Sequence, residues 1–352
     1  MTNNIEIDKY LIESLLLLER YKSPPKLPYF IQKMNYIQQA YKGNNQWYHY
    51  AITILIVLLG WQVIGIIPLL VTAVMHSSDI GEFYKGMASG FTNLGINNNL
   101  LLCLMILMFG CGLLALVLAL KYIHKRPLKT LITSRDKIDW KRFWFAFFIW
   151  GMVACILTGT SILMFPEEYI WNFKPLPFFT LVAISFICLP IQTSFEELFI
   201  RGYLLQGIGT WVQNRWFPLI FTAVFFGLLH FANPEVEKLG NIAMVFYIGT
   251  GLFYGITMLM DEGAELALGL HAINNIMAAF LVTTNWTVFQ TDALYIETSE
   301  PSAGMETLLP VGVLYPLLLL IFSKKYQWKN WKEKLLGKVE KPVQLKENYR
   351  VL

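Results

Sequence analysis

The chain has 352 residues, 55% of them hydrophobic and 15% charged, and a formal net charge of +4. A soluble domain of this size carries roughly 25% charged residues, so too few polar side chains are present to cover a globule. A small, dispersed positive charge also argues against a nucleic-acid partner. The four cysteines, Cys103, Cys111, Cys155 and Cys188, all fall inside apolar runs; they form neither a disulfide framework nor a CxxC metal knuckle.

The first fifty residues are interrupted by charges and by Ser23-Pro24-Pro25, which is not the pattern of a cleavable signal peptide. They read as a soluble arm with a short amphipathic helix over Leu11–Leu18. Eight apolar runs follow: Ala51–Met75, Leu100–Leu120, Phe143–Phe165, Phe178–Gln206, Trp216–Phe231, Ile242–Met260, Ala264–Val282 and Leu308–Phe322. A helix needs about 20 mainly apolar residues to cross a hydrocarbon core of about 30 Å. The fifth and eighth runs are short, and only Asp261-Glu262-Gly263 divides the sixth from the seventh. Trp47, Trp171, Trp211, Trp216 and Trp286 stand near the ends of runs, as expected of an interfacial aromatic belt. The expected fold is an all-α, polytopic transmembrane bundle of about eight spans. Its parts are an arm over 1–50, three spans within 51–165, a core over 178–282, a last span at 308–322 and a basic tail over 323–352.

Lys and Arg set the expected orientation. They crowd the connection after the second run (Lys121, Lys125, Arg126, Lys129, Arg135, Lys137, Lys141, Arg142), the tail from Lys324-Lys325 onward, and the arm at Lys22, Lys26, Lys33 and Lys42. The connection Thr283–Thr307 has Asp292, Glu297, Glu300 and Glu306 and neither Lys nor Arg. Both termini are therefore expected in the cytoplasm, in agreement with an even number of spans.

A charge at the centre of a span costs about 2.5–3.5 kcal/mol on insertion scales, so ionisable residues there are functional candidates. The first three runs have none, whereas the fourth holds Glu196, Glu197 and Arg201, the fifth ends at His230, and the seventh holds His271 and Asn275. Glu197 and Arg201 are spaced i,i+4 with the acid first, the favourable order for a pair on one helix face. Glu196 points elsewhere, turned by about 100°. His271 and Asn275, also i,i+4, share a face of the seventh run. At about 1.5 Å per residue, Glu196, His230 and His271 lie about 15, 21 and 11 Å from the inner boundary. Tilted helices could bring them together, provided the fourth run stays helical through Arg201. Pro190 is expected to kink that run.

Alone, His230 would be an interfacial histidine and Asn275 interhelical glue. His49, His76 and His124 lie at run ends and need no role. Asp261, Glu262 and Glu265 read as turn and helix-start residues, the acid in a first turn being favoured by the helix dipole.

At these positions the chain resembles the CPBP family of intramembrane proteases, which includes the CAAX prenyl endopeptidase called Ras-converting enzyme. The family's E-E-x-x-x-R matches Glu196-Glu197-x-x-x-Arg201, its F-x-x-x-H matches Phe226-x-x-x-His230, and its H-x-x-x-N matches His271-x-x-x-Asn275. The resemblance covers about Phe178 to Val282; the first three spans and both tails lie outside it. It implies endoproteolysis of a membrane-associated protein or peptide by water. Glu196 would be the general base and His230 would hold the water. His271 and Asn275 would stabilise the oxyanion, while Glu197 and Arg201 would support the site. On this reading no cofactor is required; zinc held by Glu196, His230 and His271 is the alternative, although HExxH is absent and Asn is a poor zinc ligand. The implied surroundings are a bilayer, specifically a bacterial plasma membrane. Two other functions remain open: a non-catalytic membrane partner, as in bacteriocin immunity or regulation, and a transporter, for which the expected internal repeat is not evident.

Overall fold

The structure, a computed structural model, describes residues 34–301 and 304–342. The expected amphipathic helix Leu11–Leu18 and the tail beyond 342 lie outside the described residues. Lipid offers no hydrogen-bond partner to the backbone, so apolar segments close their own bonds as helices. Eight helices correspond to the eight runs: α1 (Trp47–His76), α2 (Asn98–His124), α3 (Trp140–Met164), α4 (Pro175–Val212), α5 (Trp216–Leu229), α6 (Asn241–Asp261), α7 (Glu265–Phe280) and α8 (Thr307–Tyr326). Six of them are long and apolar enough to cross a membrane. The exceptions are α5, with 14 residues, and α7, with 16. At about 1.5 Å per residue they reach about 21 and 24 Å, short of a bilayer core. His271 lies within α7, and His230 caps the end of α5.

The outward faces are lipid-like. Phe148, Ile187 and Leu163 are 66%, 68% and 83% exposed, which a water-soluble surface of this extent would not tolerate. Trp47, Trp211 and Trp216 are exposed at or near helix ends and Trp171 is exposed in the connection between α3 and α4, as a belt requires, but Trp286 is half-buried. By contrast α7 is buried along most of its length and lies against α3 and α4. Gly269 makes the first approach possible, since a Cβ there would stand 2.2 Å from the Phe143 carbonyl oxygen. Gly251 of α6 does the same against the backbone of Ala223 in α5, where a Cβ would meet the Ala223 oxygen at 2.8 Å. Small residues let membrane helices pack this closely.

The two ends of the bundle differ. At one end a short three-stranded sheet, β1 (Tyr169–Trp171), β2 (Val282–Thr283) and β3 (Tyr295–Glu297), pairs β3 with β1 antiparallel and with β2 parallel. At the other, basic end the connection between α2 and α3 meets the α6–α7 turn, with the Ser134 N–H donating to the Glu262 carbonyl at 3.1 Å. Asp261, Glu262 and Glu265 do more there than end helices. Asp261 accepts from Arg135 at 2.8 Å, from Trp328 at 3.0 Å and from Arg142. Glu265 accepts from Arg135 at 3.0 Å and from the Asp139 N–H at 3.2 Å. Glu262 accepts from the Tyr36 N–H at 2.6 Å and faces Arg215 and Lys334 at 3.5 and 3.6 Å.

Three features lie beyond what the sequence predicts. Within the stretch expected as the arm, Tyr36 and Ile37 are fully buried, a 3-10 turn spans Ile37–Lys42, and α1 starts at Trp47. The tail after α8 also packs, through buried Trp328 and Val339. Finally, Pro190 lies inside the α-helical part of α4, and a change of winding comes later, at a π-helical stretch, Glu197–Leu204.

Candidate active site

That π-helical stretch begins at the second glutamate. Stretches of this kind recur at functional sites, since wider winding re-aims side chains that a regular helix would hold in line. Arg201 donates from Nη1 to Glu197 Oε1 at 2.6 Å, and both side chains are fully buried. Arg201 also donates from Nε to the Gly251 carbonyl at 3.3 Å and lies over the Phe226 ring at 4.2 Å. The aromatic face is a favourable partner for the guanidinium, which gives the phenylalanine of the second motif a physical use.

His271 stands between the two glutamates. Its Nδ1 is 2.8 Å from Glu197 Oε1 and its Nε2 is 3.5 Å from Glu196 Oε2. A carboxylate only accepts, so Nδ1 carries a hydrogen and Nε2 is left to exchange a proton on the Glu196 side. Glu196 also accepts from Gln192 Nε2 at 3.2 Å, one turn earlier in α4. His230 caps the end of α5, and its Nδ1 lies 2.7 Å from the Phe226 carbonyl. The same logic places the hydrogen on Nδ1 and leaves Nε2 as an acceptor. Its ring stacks on Tyr247 with centroids 4.3 Å apart.

Asn275 is oriented by a chain of amides. Trp150 Nε1 of α3 donates to Asn274 Oδ1 at 3.1 Å, and Asn274 Nδ2 donates to Asn275 Oδ1 at 3.2 Å. With its oxygen occupied, Asn275 presents its NH2 group as the donor.

Glu196, His230, His271 and Asn275 all line one cavity of about 300 Å3. Glu197 and Arg201 lie behind its wall. The first two spans, which the motifs leave without a role, supply much of the apolar lining: Trp61 from α1, and Leu102, Ile106 and Phe109 from α2. Toward the sheet end the cavity is bounded by Asn233, Glu235, Val288 and Phe289. Glu235 Oε1 accepts from the Val288 N–H at 2.9 Å, and Oε2 is buried with no hydrogen-bond partner among the described residues. Burial pushes this carboxyl above the usual carboxylate range, while the Val288 N–H pulls it back in part.

The sequence reading missed Gln192, Asn274, Trp150 and Glu235. Gln192 and Asn274 had a legible signal, as uncharged polar residues inside apolar runs beside a candidate. Trp150 and Glu235 had none, since one is a tryptophan in an apolar span and the other an acid in a connection.

The zinc alternative was tested against this geometry. Glu196 and His271 stand at a separation that two ligands of one metal could have. Among the described residues, however, no group of three or more His, Cys, Asp or Glu side chains is arranged to hold a metal ion.

The fold and this buried site define an integral membrane protein whose candidate chemistry sits inside the helical bundle. Residues 175–277 match the family described as type II CAAX prenyl endopeptidase Rce1-like. A protein of Bacillus subtilis (strain 168), described as uncharacterized protein YyaK, is 34% identical over 173 residues, a match covering 49% of this chain and 58% of that relative. No solved structure matches.

Proposed function

We propose that the protein is an intramembrane endopeptidase that hydrolyses a peptide bond of a membrane-associated substrate with a water activated by Glu196. The observation that carries this reading is His271 held between Glu197 and Glu196 on the cavity wall. Water held by His230 Nε2 would lose a proton to Glu196 as its oxygen attacks the carbonyl carbon. Asn275 would donate to the developing oxyanion. His271 fits a proton partner of Glu196 better than the oxyanion role expected for it, because its Nδ1 is already engaged by Glu197. As the C–N bond breaks, the proton held by the Glu196–His271 pair would pass to the leaving amine. The family match over the same residues supports the reaction class.

The substrate would be a protein or peptide of the bilayer, with no part for nucleic acid. The basic end would face the cytoplasm of a bacterial plasma membrane, with both termini on that side, following the Lys and Arg distribution. The decisive experiment compares membrane peptides from cells producing wild type and Glu196→Gln by mass spectrometry. Product peptides should vanish in the variant at equal protein amount; identical peptide sets would refute the proposal. Metal analysis and prolonged chelation test the rest. Activity should survive, and a stoichiometric zinc lost in both His230→Ala and His271→Ala would overturn the metal-free mechanism.

A further inference from the structure

The cavity's charge is one-sided. Two carboxyl groups line it, Glu196 near its base and Glu235 toward the sheet end, and no Lys or Arg is among its described lining residues. Arg201 does not offset them, because it lies behind the wall and is already bonded to Glu197. Glu235 sits on a short helix, Pro234–Leu239, that forms part of the sheet-end boundary of the cavity. One of its oxygens ties this helix to Val288, while the other is buried without a partner among the described residues. An unpaired buried carboxyl costs free energy that an arriving cation would recover. Its neighbours suit a cation too. Tyr247 and Phe246 also line the cavity, and the Asn233 amide donates to the Tyr247 hydroxyl at 3.3 Å, leaving the Asn233 oxygen as an acceptor.

We infer that Glu235 forms a subsite for a cationic side chain, Lys or Arg, of the peptide that enters the cavity. This rests on the proposal that the cavity receives a peptide, and it deepens that reading by giving the substrate a charge. A peptide placing a free carboxylate there would meet only acids of its own sign. A basic residue would meet Glu235 and leave Glu196 free for the water.

The test uses purified full-length protein in a neutral detergent and a dansyl-labelled Leu/Ala-rich peptide amide carrying one Lys, with norleucine and Glu counterparts. Fluorescence anisotropy should show the Lys peptide binding about tenfold tighter than the norleucine peptide, the scale of a charge-assisted contact, with the Glu peptide weakest. Glu235→Gln should erase the Lys advantage, and Glu235→Lys should reverse it. Equal affinity of the Lys and norleucine peptides in wild type, or no binding of either, overturns the inference without depending on a variant's folding. Loss of the Lys advantage on adding phosphatidylethanolamine, but not phosphatidylglycerol, would overturn it too, by making Glu235 a lipid-amine site. Mass spectrometry of the same samples reads hydrolysis separately. A Lys preference without hydrolysis keeps the subsite and counts against the protease, while hydrolysis without a Lys preference does the reverse.

Discussion

Two clusters of buried charge stand in this bundle, one at the basic end and one at the cavity, and they are completed differently. At the basic end Asp261, Glu262 and Glu265 each have a donor on both oxygens, drawn from Tyr36, the α2–α3 connection, Arg215 and the tail. At the cavity Glu197 Oε2, Arg201 Nη2 and Gln192 Oε1 are buried without partners among the described residues. Full satisfaction of a polar network gives rigidity. A network with spare donors and acceptors keeps a free-energy cost, and a role in chemistry is one physical reason for keeping it. The first cluster clasps the ends of helices; the second borders the cavity that holds the candidate site residues.

The comparison can be broken by single substitutions. The largest effect is expected for Arg201→Ala, which leaves Glu197 buried beside His271 without its cation. Removing one partner of a buried pair costs about 3–5 kcal/mol, so the yield of folded protein should collapse. If the purified variant unfolds in detergent at the wild-type temperature, the pair is not structural. Glu196→Gln keeps shape and bonding capacity and should leave that temperature unchanged, while hydrolysis falls by about 10²–10⁴, the usual contribution of a general base. An unfolding shift without a rate change would assign Glu196 to the fold and erase the distinction between the clusters.

Asn275→Ala should slow turnover by about 10²–10³ with little change in substrate affinity, as loss of one oxyanion donor does. Trp150→Phe should have a milder effect in the same direction, because Asn274 would lose the bond that fixes its amide. A rise in KM with unchanged kcat would place Asn275 in substrate binding instead. The smallest effect is expected at the basic end. Arg135 is 20% exposed, water can replace part of what it gives, and Asp261 keeps Arg142 and Trp328. Arg135→Ala should therefore cost about 1–2 kcal/mol and leave kcat alone; a loss of kcat would mean that the basic end is coupled to the cavity.

The sequence by itself determined the solvent, the helical class and the local pair. An apolar run in lipid has one way to satisfy its backbone, and Glu197 with Arg201 needed only the geometry of one helix. The spacing of three motifs also named the residues that gather at the cavity. Only the tertiary structure decided how they meet. The π-helical stretch after Glu196 and the close packing permitted by Gly269 and Gly251 set the rotation of α4, α6 and α7, and no local pattern encodes rotation. That rotation puts His271 between two glutamates, brings Trp150 to Asn274, and turns Trp61, Leu102 and Phe109 into cavity wall. For the same reason Asp261, Glu262 and Glu265 read locally as helix punctuation. Their partners come from the α2–α3 connection, the α4–α5 turn and the tail, distant in sequence, and only the folding of the chain brings those cations to one end.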